Sequence, residues 1–330
     1  MAIKKLMLSL VAACAAGGFV HTVSADPVGS LNAEGDGLVF QEQGAFEIYQ
    51  WNGADSTGTF TVPEGGATVD LLLVGGGGAG GFCRGGGGGG GGVIYKQSYA
   101  LDAGSYTVTV GAGGVPDAWT KDTRPNKSSE NCYQQVKSTA ATCGGNSELK
   151  LADVAVLTAV GGGGGGSFVN GDTGASEGLS GGSGGGSAGK SSAQPVGTEN
   201  QGFAGGAGGG VVNNDNVSGG GGGAGAAGVT PNSTNASGNG GDGIECSITG
   251  SPVYYGGGGG AGVYEDRTPG QGGLGGGGNG GYKKGANEGM TAGVDGLGGG
   301  GGGASGSGNK WEYCIGAPGG SGVVIVRYQK

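Results

Sequence analysis

The residues Val69-Asp70-Leu71-Leu72-Leu73-Val74-Gly75-Gly76-Gly77-Gly78 pass without a break from an apolar run into bare glycine. Apart from Asp70 the first six are apolar, the pattern of a strand buried on both faces. The four that follow have no side chain to bury. The chain closes with the same junction reversed, Gly319-Gly320-Ser321-Gly322-Val323-Val324-Ile325-Val326-Arg327-Tyr328. Two such junctions imply a packed β core from which glycine tracts emerge and to which they return.

Working outward, further strand candidates surround the first junction. Residues 38–40, 46–51, 59–62, 93–95, 106–110, 149–151 and 154–160 are β-branched, aromatic or alternating, and Gly, Pro, Asn or Asp bounds them. Residues 248 and 253–255 are weaker candidates. Residues 129–142 could form a short helix. A closing strand as apolar as 323–326 must be buried, and its partners come from residues 38–110 and 149–160. The expected core is therefore one β-sandwich. Residues 161–320 form an excursion too long for an ordinary loop.

Glycine accounts for 95 of 330 residues, several times the usual ~7%. Collagen requires glycine at every third position and abundant proline. Here the glycines come in unbroken blocks and prolines total nine, which excludes it. Two readings remain, flexible linker and an ordered polyglycine-II bundle. Polyproline-II geometry has about three residues per turn, ~3.1 Å rise and no internal hydrogen bonds. Only glycine lets such helices approach closely enough to bond one another laterally. The blocks recur at 75–78, 85–92, 161–166, 181–186, 205–210, 219–223, 256–260, 272–281 and 298–303, separated by turn-forming Asn, Asp, Ser, Thr and Pro. Rod, turn, rod is the expected plan.

Together, residues 59–63, 69–78, 106–114, 158–166 and 319–328 resemble the glycine-rich domain proteins of bacteria and phages, over roughly 57–328. The architecture is similar to the glycine-rich ectodomain of anaplastic lymphoma kinase-type receptors, where a TNF-like sandwich carries a polyglycine bundle. The resemblance implies display, adhesion or ligand binding. The expected fold class is thus mainly β, a TNF-like or jelly-roll-like β-sandwich with an inserted polyglycine-II helix bundle. The expected division is residues 1–25 as leader, 26–56 as N-terminal strands and 57–330 as the glycine-rich domain. Within that domain, 57–160 and 322–328 form the sandwich and 161–320 most of the bundle.

The N-terminus reads as a secretory signal. Lys4 and Lys5 precede an apolar stretch over residues 6–20, and Val23-Ser24-Ala25 offers small residues for cleavage after Ala25. Val11-Ala12-Ala13-Cys14 resembles a lipobox, so lipid anchoring at Cys14 is the alternative. Secreted or cell-surface localisation follows either way, with no membrane insertion after cleavage. Cleavage removes Lys4, Lys5 and the only histidine, His21, leaving 14 basic against 25 acidic residues and a net charge of −11. That charge repels nucleic acid. Without imidazole, most acid–base, nucleophilic and transition-metal chemistry loses its usual side chain. No enzyme activity, cofactor or metal is expected. The partners expected are a protein or glycan at a cell surface, or the protein itself.

Several motifs compete with that reading. Residues 184–191 match the P-loop pattern, but polar sequence precedes them and Pro195 follows, where a strand and a helix are needed. Five cysteines survive cleavage, and export favours disulfides. Cys132 with Cys143 would close a short loop. Cys83, Cys246 and Cys314 leave an odd thiol. Candidate ligand contacts are Trp119, Arg124 and Tyr133, then Tyr264 and Arg267, then Trp311 and Tyr313, all in spacers between blocks. The alternative is that these residues cap and pack the rod ends. Asn126, Asn216, Asn232 and Asn235 sit in glycosylation sequons.

Overall fold

The computed structural model describes residues 21–23, 31–116, 141–168, 177–212, 216–282, 287–306 and 315–330. Its strands are β1 (His21–Val23), β2 (Asn32–Gly35), β3 (Leu38–Gln43), β4 (Phe46–Asn52), β5 (Thr57–Val62), β6 (Ala67–Val74), β7 (Val93–Leu101), β8 (Gly104–Thr109), β9 (Ser147–Leu151), β10 (Val154–Ala159), β11 (Ile244–Cys246), β12 (Val253–Tyr255) and β13 (Val323–Gln329). They form two facing sheets, ordered β1-β2-β5-β8-β9-β10 and β3-β4-β13-β6-β7, and a separate β11-β12 pair. All strand pairings are antiparallel. The fold is mainly β, and the sheets pack as a sandwich.

The closing strand sits in the middle of its sheet. β13 pairs with β4 on one side and β6 on the other, so Val324 faces Trp51 and Leu73 across the ladder. Alternate residues then go to opposite cores. Leu71, Leu73, Val324 and Val326 join Trp51, Phe60, Tyr106 and Leu149 between the sheets. Leu72, Val74, Val323 and Ile325 meet Val93, Ala224, Cys246, Ile248 and Tyr255 on the far face. Burial on both faces is why these two strands are apolar at nearly every position. On that far face burial pushes the Tyr255 phenol up to about 12. Between the sheets, Phe60 stacks on Tyr106 at 5.1 Å and lies 5.9 Å from Trp51. Gly58 makes room for the indole, since a Cβ there would lie 2.1 Å from Trp51 Nε1.

Strands β2–β4, from the stretch set apart as 26–56, lie inside both sheets. β7 runs on to Leu101, well beyond 93–95. Its polar residues Lys96, Gln97 and Ser98 hide it in the sequence, and Asp70 Oδ1 accepts from the Ser98 N–H at 2.8 Å where the β6–β7 register shifts. Of the expected helix at 129–142, only Ala141 and Thr142 are described, and both lie on an extended rod.

The glycine tracts are ordered rods. Residues 85–92 show the plan. Gly86, Gly89 and Gly92 donate to Gly166, Gly163 and Val160, Gly87 and Gly90 to Gly219 and Gly222, and Gly88 and Gly91 to Gly301 and Gly298. Acceptors follow the same period. The carbonyls of Gly86, Gly89 and Gly92 receive Gly81, Gly78 and Gly75, those of Gly87 and Gly90 receive Gly186 and Ser183, and those of Gly85 and Gly88 receive Gly262 and Gly259. Each direction repeats every third residue, the signature of the polyproline-II screw. The rod therefore gives to three neighbours and takes from three others, six in all, as in hexagonal packing. Most of these bonds measure 2.8–3.0 Å, ordinary amide geometry.

The close approach leaves no space for a side chain. A Cβ on Gly86, Gly87, Gly88, Gly89, Gly90 or Gly91 would fall 1.9–2.2 Å from a carbonyl oxygen of an adjacent rod. Ala79, Ala261 and Ala304 are fully buried in surrounding rods, so a methyl fits at selected positions there.

Candidate functional site

The rods have a fixed polarity relative to the sandwich. One end is where strands become rods, at Val74–Gly75, Gly92–Val93, Tyr255–Gly256 and Gly322–Val323. The opposite end collects the turns. Residues 82–84 turn the first hairpin there, between rods 75–81 and 85–92. Phe168 donates to the Phe82 carbonyl at 3.1 Å, Tyr264 to the Asn216 carbonyl at 3.1 Å, Gly306 to the Val263 carbonyl at 2.8 Å, and Asn287 Nδ2 to the Ile315 carbonyl at 3.1 Å. Described residues flanking 169–176, 213–215, 283–286 and 307–314 therefore meet at this distal tip. Val115 and Thr142, which flank 117–140, bond each other on the same side of the bundle.

Arg84 is the centre of the tip. Cys83 and Arg84 take left-handed backbone, at φ 36° and 54°, which reverses the chain in three residues. Arg84 is buried, and its guanidinium lies 4.1 Å from the Phe168 ring centre and 4.5 Å from that of Tyr264. Cation–π attraction of this kind is worth ~1–2 kcal/mol when water is excluded. Its Nη1 donates to Asn216 Oδ1 at 3.0 Å, and its carbonyl accepts from Ser218 Oγ. Ser218 N–H donates to Ser237 Oγ at 3.0 Å, and Ser237 Oγ donates to the Gly262 carbonyl at 2.7 Å. A Cβ on Gly306 would press within 2.8 Å of both the Tyr264 ring and the Arg84 stem. The tip is thus tied through one cation, two rings and a relay of small hydroxyls.

The sequence candidates divide accordingly. Tyr264 and Arg267 are half-buried rather than freely displayed. Tyr264 packs on Arg84, and Arg267 donates to the carbonyls of Thr234 at 3.1 Å and Tyr264 at 2.8 Å. They cap rod ends. Trp119, Arg124, Tyr133, Trp311 and Tyr313 lie outside the described residues, as do Cys132 and Cys314. The Cys132–Cys143 pairing thus remains an expectation, with Cys143 exposed on its rod. Cys83 is buried within the Arg84 turn. Cys246 is buried beneath the second sheet, where burial pushes its thiol up. Asn216 turns its amide to Arg84, whereas Asn232 and Asn235 are exposed. The P-loop-like segment is rod up to Ser187 and then a turn closed by Ser191 N–H on the Ala188 carbonyl at 3.2 Å. Among the described residues no cluster of three or more His, Cys, Asp or Glu could hold a metal, and no helix is long and apolar enough to cross a membrane. Arg84 escaped the sequence reading, although a lone Phe-Cys-Arg between two glycine blocks was its visible mark.

A family model described as a glycine-rich domain matches residues 54–329. The chain belongs to the glycine-rich domain family. The match opens just before β5 and closes with β13, so it spans the whole bundle. Strands β2–β4 precede the matched glycine-rich domain, yet β4 pairs with β13 along its full length. A search of curated proteins returned no match to this chain.

Proposed function

We propose that this glycine-rich domain protein is an exported structural or adhesive protein of the cell surface, whose polyglycine bundle is a stiff stem that displays the segments at its tip. The single observation that supports this reading is the segregation of ends. The sandwich takes one end of the rods, and the described residues Phe168, Asn216, Tyr282 and Gly306 gather at the other around Arg84. The leader-like residues 1–25, the acidic balance and the lack of histidine beyond His21 support export and a non-enzymatic role. The resemblance to receptor ectodomains built on the same plan supports a second reading, a secreted module whose tip binds a glycan or protein ligand.

Replacing residues 117–140 and 307–314 with short Gly-Ser linkers in the exported chain tests display. The expected result is loss of cell-surface adhesion or ligand capture with an unchanged melting temperature. Adhesion that survives both replacements overturns the reading. Binding of one soluble ligand without cell adhesion favours the second.

A further inference from the structure

One side of the bundle presents exposed apolar side chains from three neighbouring rods. Three rods lie next to one another there, residues 194–197, 203–207 and 228–230. Gly205 donates to the Pro195 carbonyl at 2.8 Å and Gly228 to the Ala204 carbonyl at 2.9 Å, which sets their order. Each turns one large apolar side chain to water, Val196 at 61%, Phe203 at 49% and Val229 at 48% exposure. Leu179 continues the strip onto the next segment, where Ser180 Oγ accepts from the Val196 N–H at 3.2 Å. Gln194 Nε2 reaches Thr230 Oγ1 at 3.4 Å and braces the outer two rods against each other.

The three rods carry no charge, and Glu177 and Glu199 lie at the margins of the strip. Residues 191–198, 201–214 and 216–241 contain no Asp, Glu, Lys or Arg, while the chain as a whole carries −9. A contiguous apolar strip on an otherwise acidic protein marks a contact surface.

We infer that two copies of this chain associate through this face, rod against rod. A symmetric contact sets a patch against itself, so any net charge on it would repel its own image. The three rods, free of Asp, Glu, Lys and Arg, meet that condition. Val196, Phe203 and Val229 of each copy then lose their exposure to water, which supplies the driving force. The inference goes beyond the tip-display reading and does not rest on it, since the strip lies along the stem.

Sedimentation velocity on the full exported chain over a concentration series tests it. A dimer is expected, and Phe203→Glu should weaken it by about 30-fold or more. Phe203→Lys should do the same. An equimolar mixture of the two variants should recover mixed dimers, because opposite charges then face each other. Melting temperatures should match the parent. Should either charged variant melt early, the near-isosteric pair Val196→Thr with Val229→Thr removes apolar surface while keeping shape, and must still weaken the dimer. A parent protein that stays monomeric throughout, or dimers indifferent to these changes, overturns the inference.

Discussion

The sandwich and the bundle solve the same problem with opposite materials. In the sandwich, side chains such as Trp51, Phe60, Tyr106 and Leu73 exclude water, and the backbone ladder holds them in register. In the bundle the backbone is itself the packed interior, and each rod is satisfied only by its neighbours. An amide bond nets ~1 kcal/mol against ~1–2 kcal/mol for fixing one residue's backbone, so a lone rod does not stand. The rods persist because bonds run in six directions and because strands clamp the ends of several of them. One half thus tolerates change of backbone neighbours but not loss of side chains. The other tolerates no gain of them.

Four measurements break or sharpen that contrast. The largest effect is expected from Gly88→Ala, whose Cβ would lie 2.1 Å from the Gly78 carbonyl oxygen. Six surrounding rods cannot move apart without losing bonds, so the cost is roughly 5 kcal/mol or more, read as loss of cooperative melting. If Gly88→Ala melts like the parent, the interior of the bundle is not packed as described. Next comes Trp51→Ala, which empties the sandwich and removes the indole donor to the Glu34 carbonyl at 3.2 Å. About 3–5 kcal/mol of destabilisation is expected by chemical denaturation.

Alkaline pH should act on the sandwich more than on the rods. Tyr49, Tyr106 and Tyr255 have phenols raised above their ordinary value, in each case chiefly by burial. A raised phenol stays protonated in the folded state while the unfolded state ionises from about pH 10, so the unfolded chain binds fewer protons there. Stability is then fully present below about pH 10 and falls as pH rises toward the folded values, by up to ~1.4 kcal/mol per pH unit for each such tyrosine. Denaturation midpoints between pH 9 and pH 12 check this, and a flat profile would contradict the burial of these rings. The smallest effect is expected from Ala79→Gly, which removes a methyl the bundle accommodates, at about 0.5–1 kcal/mol. A cost as large as that of Trp51→Ala would mean that methyl groups, not backbone pairing, hold the bundle.

Much of this fold is legible in the sequence. The apolar run 69–74 announces a strand with two buried faces, and 323–326 announces its partner, because only two-sided burial explains such uniformity. The glycine blocks announce rods. The identity of the central rod was not legible, because residues 85–92 read like any other block and their place depends on which neighbours fold around them. β7 was underestimated because its exposed half is polar. The tip was legible only as scattered aromatics. Tyr264 stands out as an aromatic in a spacer, but its partner Arg84 lies 180 residues earlier in the chain, and no local pattern joins them. The apolar strip of Val196, Phe203 and Val229 gave no periodic signal either, because each rod contributes a single large side chain.

The hexagon around residues 85–92 also sets an order of events. Its six walls are drawn from residues as far apart as 75 and 301, and the sheet beneath is completed by β13 at residues 323–329. A nascent polypeptide that has emerged only as far as residue 250 lacks two of the six walls, 259–262 and 298–301, and β13. Closure over such separations is slow, so the central rod gains its full set of partners only once residues 298–301 and β13 are in place.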